Sequence, residues 1–260
     1  MERLKQRIEE LAKEGLAVAF SGGIDSSLLL KLACDTGFPV QAVLLHSQLQ
    51  PLRDLAIAER VAEECGAPLT VLEVDLSAVP AVMENRSDRC YHCKKTMFSA
   101  LKTWCEARKI PHILEGTNDD DLTVYRPGLK AVRELGICSP LAECGITKQQ
   151  VRAMAEQLGI SVAKRPSTPC MATRLPYGTN LDFAVLRKLE AGEEFLREQG
   201  FEVCRLRLHG QVLRIEVPKD RFTDLLKAGE AIAQTMKQLG FSYLTLDLEG
   251  FRSGSMDIGR

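Results

Sequence analysis

The stretch Ser21-Gly22-Gly23-Ile24-Asp25-Ser26-Ser27 concentrates residue types that can hold phosphate. Adjacent glycines let backbone N–H groups turn inward with no Cβ in the way. A helix starting just after them aims its positive end at the same spot, so the turn is an anion cradle. Ser21, Ser26 and Ser27 add hydroxyl donors. Asp25 can only accept, but it can hold a magnesium ion that binds phosphate in turn. No Gly-Lys-Ser/Thr closes the stretch and the three-glycine dinucleotide spacing is missing, so it is neither of those two nucleotide loops.

Thiols offer a second chemistry. The chain has nine cysteines. Cys90 and Cys93 form a C-x-x-C at the start of an expected helix, and Cys170 follows a proline. The pair suits a zinc half-site, a redox couple or two buried thiols. With Cys170 as a third thiolate it also suits a 4Fe–4S cluster in which one iron keeps an open position. Cys34, Cys65, Cys105 and Cys204 fall on apolar faces and read as packing. Cys138 and Cys144 fit no zinc spacing and read as core or surface thiols.

Arg205 and Arg207, two apart in an alternating run, share a strand face. Their guanidinium forks suit a phosphate, and a solvated charge face is the competing reading. Asp119, Asp120 and Asp121 suit a metal, with a solvated acidic loop the better reading; Arg126 reads as a turn residue or a contact to ATP phosphate or substrate, and Trp104 as core.

The elements that must position these groups alternate. Leu16–Phe20, Val40–Ser47, Leu69–Val74 and His112–Gly116 read as buried strands, each separated from the next by a helical stretch. That order argues for a doubly wound parallel sheet, an α/β fold whose ligands sit beyond the carboxyl ends of the strands. Phe20-Ser21 and His46-Ser47 both fall there. Thr147 is placed to cap a helix running to Leu158. Residues 164–178 carry three prolines and no amphipathic period, and read as an ordered crossing loop. A helix over 182–199, a hairpin over 203–217, one or two further helices and a strand near 243–247 make a smaller α+β domain. The expected division is 1–176 and 177–260.

At 260 residues with a net charge of -1, the chain carries no global field for nucleic acid or membrane. No run reaches membrane-spanning length, the N-terminus reads as an amphipathic helix rather than a signal peptide, and an odd cysteine count argues against a disulfide scaffold. A reducing cytoplasm is the expected location.

The loop resembles the Ser-Gly-Gly-x-Asp-Ser signature of the PP-loop ATP pyrophosphatases. Together with Tyr125-Arg126-Pro127-Gly128-Leu129-Lys130, Cys170 and Ala172-Thr173-Arg174-Leu175-Pro176-Tyr177-Gly178, Arg205-Leu206-Arg207 and the ending from Leu244 to Gly254, it resembles the LarE family. These are the sulfur transferases of nickel-pincer nucleotide cofactor biosynthesis, and the likeness runs over nearly the whole chain. It implies that ATP is split between its α and β phosphates, adenylating carboxylates of a pyridinium biscarboxylic mononucleotide, and that sulfur then replaces oxygen.

By the same resemblance, Ala19, Phe20, Ser21, Gly22, Gly23, Asp25, Ser26, His46, Ser47, Gly116 and Arg126 hold ATP and magnesium. Arg174, Glu193, Arg205, Arg207 and Asp224 hold the substrate and its phosphate, and Cys170 handles the sulfur. Some members sacrifice that cysteine. Others use a three-cysteine 4Fe–4S cluster, the form that Cys90 and Cys93 favour here, recharged by a sulfide donor. The family forms hexamers. A tRNA-thiolating PP-loop enzyme, which needs a basic surface, and a nucleotide- or redox-sensing binding protein are the competing functions.

Overall fold

The computed structural model describes residues 1–166 and 168–252; Ser167, Ser253 and Gly254 of the motifs above lie outside them. Two compact units form, Met1–Val82 with Asp88–Thr168, and Met83–Ser87 with the chain from Pro169 onward.

In the first unit the strands are β1 (Leu16–Ala19), β2 (Val40–His46), β3 (Leu69–Glu73) and β4 (His112–Leu114). They lie in the order β3-β2-β1-β4, all parallel. The chain steps outward from β1 to β3 and then returns to the other side of β1. The crevice between the carboxyl ends of β1 and β4 is therefore the topological switch point, where such sheets bind ligands.

The helices are α1 (Glu2–Ala12), α2 (Ile24–Cys34), α3 (Leu52–Glu64), α4 (Pro80–Met83), α5 (Arg89–Glu106), α6 (Gly128–Glu134), α7 (Pro140–Glu143) and α8 (Lys148–Gln157). Helix α1 buries Leu4, Ile8 and Leu11, one stripe at helical spacing. Helix α2 is buried nearly all round, from Ser26 through Leu30 and again at Leu32 and Ala33. That is why it reads apolar without a polar face. It packs on both α1 and α8. Thr147 caps α8 as expected, within a capping box shared with Gln150. Trp104 departs from expectation. It is only half-buried, and the Arg108 guanidinium stacks 4.1 Å from its ring centroid.

The second unit contains α9 (Phe183–Glu198), β5 (Arg205–His209), β6 (Val212–Glu216), α10 (Phe222–Lys227), α11 (Gly229–Gln238) and β7 (Tyr243–Leu246). Strands β5 and β6 form the expected antiparallel hairpin, and β7 adds in parallel to β6. A Cβ on Gly192 would come within 2.5 Å of Leu206 Cδ1, so glycine lets α9 sit close on β5.

The division falls ahead of the expected 176/177 boundary, and the reason is Asn85. This fully buried residue, in the left-handed region at φ 50°, donates from Nδ2 to the carbonyls of Ala172, Leu175 and Pro176. Its own carbonyl accepts from Gly178 N. Residues 169–176 are thus bonded into the second unit. Among the described residues, no helix is long and apolar enough to cross a membrane.

Candidate active site

The phosphate loop joins β1 to α2 and is tied to itself. Ser21 N donates to Ser26 Oγ at 3.2 Å, and Gly23 N donates to Ser21 Oγ at 3.3 Å. Ser26 Oγ and Ser27 Oγ both donate to the Gly23 carbonyl, at 3.1 and 2.8 Å. The hydroxyls therefore shape the loop, and the first backbone amides of α2 are the donors such a turn offers an anion. Gly22 has φ +66°, and a Cβ there would lie 3.0 Å from the backbone of Ala58. Phe20 is buried and donates its N–H to Val43 O, so it offers this site backbone only, while Ala19 is half-buried at the end of β1.

Asp25 sits in the first turn of α2, with both carboxylate oxygens engaged. Asn118 Nδ2 donates to Oδ1 at 3.2 Å, and the Lys148 ammonium donates to Oδ2. Sequence reasoning missed both partners. The cap at Thr147 was legible, but not that it sets Lys148 at the start of α8, facing a residue 123 positions away. Gly116, just past β4, closes the other side: a Cβ there would lie 3.0 Å from Asp25 Cβ and 3.1 Å from Ser26 N. An ammonium on the Asp25 carboxylate marks a place that favours a cation, and a carboxylate keeps further lone pairs for a hard metal. The residues present fit magnesium.

The acidic loop is more structured than expected. Asn118 caps a 3-10 turn over Asp119–Leu122, Asp120 accepts from Lys148 N at 2.8 Å, and Asp121 pairs with Arg126 at 2.7 Å. Exposed Arg126 thus reaches Asp25 only through Asp121 and Asn118. At the end of β2, both Glu73 carboxylate oxygens lie 3.0–3.1 Å from His46 Nδ1. Ser47 is buried and bonded to Gln50.

Cys90 and Cys93 lie near the start of α5, in its first and second turns, half-buried, with Cys93 Sγ 3.5 Å from Met97 Sδ. The next residue, Lys94, reaches the buried Glu115 at 3.2 Å. Burial would raise the Glu115 carboxyl, but the Lys94 charge and the bonds from Ser139 and Thr117 outweigh it and hold it low. Cys170 belongs to the second unit. Among the described residues, no three His, Cys, Asp or Glu side chains group as a metal site. Burial pushes the thiols of Cys65 and Cys105 up to about 11 and that of Cys204 up to about 12, as inert core thiols require.

In the second unit the expected substrate residues are largely bonded to one another. Arg174 is fully buried and grips Glu193 with two parallel bonds, Nε to Oε1 at 2.9 Å and Nη2 to Oε2 at 3.0 Å. Glu193 also accepts from Leu206 N and Arg197. Burial alone would raise its carboxyl, but the Arg174 charge prevails and holds it below the ordinary range. Arg207 donates to Glu216 and to the Thr173 carbonyl, both at 2.6 Å.

Arg205 differs. It donates to the Cys204 carbonyl and stacks on Phe251, and the charge of Glu193 attracts it, but among the described residues no carboxylate bonds to it directly. Burial first, and then the charge of Arg174, push it down to about 10. Asp224 is exposed, with Arg221 and Lys227 as its partners.

A parallel sheet that reverses its winding at β1, with a Ser-Gly-Gly-x-Asp-Ser turn feeding the next helix, defines a PP-loop α/β enzyme. The solved NMN synthetase from Francisella tularensis shares the fold, at TM-score 0.51 and 16% identity over 92% of this chain and 94% of that one. An NH(3)-dependent NAD(+) synthetase from Mannheimia succiniciproducens is 26% identical over 62% of this chain and 69% of its own length. The pyridinium-3,5-bisthiocarboxylic acid mononucleotide synthase of Lactiplantibacillus plantarum is 37% identical over 93% of this chain and 88% of its own. The chain belongs to the family of that synthase. No protein-family model matches it.

Proposed function

We propose that this protein is an ATP-dependent sulfur transferase. It turns carboxylates of a pyridinium mononucleotide into thiocarboxylates during assembly of a nickel-pincer nucleotide cofactor. The observation that carries this reading is the kinship with the Lactiplantibacillus plantarum synthase in a chain whose phosphate loop is complete and faced by Lys148.

A carboxylate is a poor electrophile, so activation comes first. A substrate carboxylate oxygen attacks the α-phosphorus of ATP, the bond to the β-phosphate oxygen breaks, and pyrophosphate leaves. The amides of the loop and the ammonium of Lys148 stabilise the charge on the departing group. Magnesium held by Asp25 would supply Lewis-acid stabilisation there. His46 and Ser47, at the end of the neighbouring strand, take the nucleoside side. Sulfur then attacks the acyl carbon and AMP departs.

Cys170 is the sulfur-handling residue. A 4Fe–4S cluster on Cys90, Cys93 and Cys170 would supply an open iron site for a transferable sulfide, replenished by a sulfide donor. Arg205, a buried cation that no carboxylate bonds directly among the described residues, takes the substrate phosphate. The reading places the protein in the cytoplasm as a homo-oligomer, a hexamer as the family resemblance implies.

The test is pyrophosphate release from ATP with the pyridinium biscarboxylic mononucleotide, followed by product mass. Release that requires this substrate, with a product in which sulfur replaces oxygen, supports the reading. Release driven only by tRNA would transfer the protein to RNA thiolation. No release with any carboxylated pyridinium nucleotide would make it a binding protein.

A further inference from the structure

We infer that Arg174 is a positioning residue, which fixes the backbone at Cys170 and does not grip the substrate. The inference rests on the reading of Cys170 as the sulfur-handling residue. Every group in the argument lies in the second unit.

Arg174 closes the 3-10 turn Met171–Arg174 that follows Cys170. One edge of its guanidinium is filled by Glu193 on α9. The remaining nitrogen, Nη1, turns back along the chain. It donates to the carbonyl of Pro169 at 3.0 Å, to the carbonyl of Cys170 at 3.4 Å and to Thr173 Oγ1 at 3.0 Å. The Cys170 carbonyl also accepts from Thr173 N at 3.1 Å and Thr173 Oγ1 at 2.8 Å.

Three donors thus converge on the peptide oxygen of Cys170 itself. From the other side Arg207, anchored by Glu216, holds the Thr173 carbonyl, and Asn85 holds those of Ala172, Leu175 and Pro176. The side chain of Arg174 is 0% exposed and that of Glu193 is 2% exposed. A guanidinium this buried, bonded through each of its three nitrogens, offers no free edge to a phosphate. Its charge is neutralised by Glu193, and its geometry serves the turn that presents Cys170. A planar fork is needed for both tasks at once, and an ammonium cannot perform them.

The test uses the full chain with Arg174→Lys. Three readouts are taken: hydrogen exchange of the Thr173 amide relative to the amides of β6, steady-state kinetics of sulfur transfer, and pyrophosphate release. The expected result is exchange at Thr173 at least about tenfold faster and a sulfur-transfer kcat down by about ten- to a hundredfold, the scale of a misplaced reacting group. KM for the mononucleotide and pyrophosphate release stay within about twofold, the spread expected of a change that leaves substrate contacts alone. A raised KM with kcat preserved would assign Arg174 to substrate binding and end the inference. Unchanged exchange at Thr173 would end it too.

Should Arg174→Lys fail to fold, the paired variant Arg174→Met with Glu193→Leu removes that ion pair and is read by exchange at Thr173 and by pyrophosphate release, since Glu193 also holds Arg197 and Leu206 N. Cys170→Ala separates the underlying reading. If sulfur transfer survives it, the role of Cys170 falls, while the exchange measurement still reports on the clamp.

Discussion

The ammonium of Lys148 lies on the carboxylate of Asp25, joining the first turn of α8 to the first turn of α2 beside the phosphate loop. Asn118 steadies the other oxygen, so the carboxylate is held in one orientation. A lysine placed there can follow charge from Asp25 to phosphate as ATP binds. Lys148→Met is expected to lower substrate-dependent pyrophosphate release by about a hundredfold, the scale for losing one positioned cation or donor. Lys148→Arg should retain part of the rate. Equal activity of Lys148→Met and wild type would remove Lys148 from the reaction.

Gly116, just past β4, lies close against the phosphate loop. Its conformation is ordinary, so the demand is for space. A methyl group there meets Asp25 Cβ and Ser26 N at 3.0 and 3.1 Å, and neither is the loose end of a flexible chain. Gly116→Ala should destabilise the protein by about 1–3 kcal/mol as an overpacked site does. It should also weaken ATP binding at least about tenfold, since 1.4 kcal/mol is the equivalent free energy. Calorimetric unfolding and ATP titration check the two halves separately. Unaltered ATP affinity would mean the crevice between β1 and β4 is not the nucleotide site.

Acid should release the clamp at Glu193. Its folded-state carboxyl is held below the ordinary value, because Arg174 outweighs burial. A depressed carboxylate contributes stability that is present above the unfolded-state value. That contribution is lost as pH falls through the folded one. The wild type should therefore lose stability below about pH 4.3, the ordinary carboxylate value. Glu193→Gln should be less stable by about 3–5 kcal/mol at pH 7, since it strands Arg174. It should also show a flatter acid limb. Parallel wild-type and variant pH curves from denaturant unfolding would refute the linkage.

The elements were legible because their signals are local. The apolar runs gave four parallel strands to within a residue or two, and Thr147 gave the start of α8. The phosphate loop was legible for the same reason, since its serines and glycines bond among themselves. What the sequence hid were pairings over distance. Nothing near Asp25 announces Lys148, and nothing near Arg174 announces that Glu193 will saturate it. An arginine awaiting an anion and an arginine already paired look alike until the chain is folded. Asn85 hid the domain division likewise, since a short segment far upstream is bonded to the loop after Cys170.

The thiols decide how sulfur is supplied. Cys90 and Cys93 are three apart on α5 and so share a face, and among the described residues no three His, Cys, Asp or Glu side chains group as a metal site. The proposed cluster takes Cys170 as its third thiolate and leaves one iron open. Protein purified without oxygen should then be brown and carry about four iron atoms per chain. Cys90→Ser, Cys93→Ser and Cys170→Ala should each lose the iron. Pyrophosphate release should persist in Cys170→Ala, because adenylation precedes sulfur attack. Colourless protein whose Cys170 becomes dehydroalanine during a single turnover would replace the cluster with a sacrificial cysteine. Zinc on Cys90 and Cys93 together with an intact Cys170 would exclude both routes.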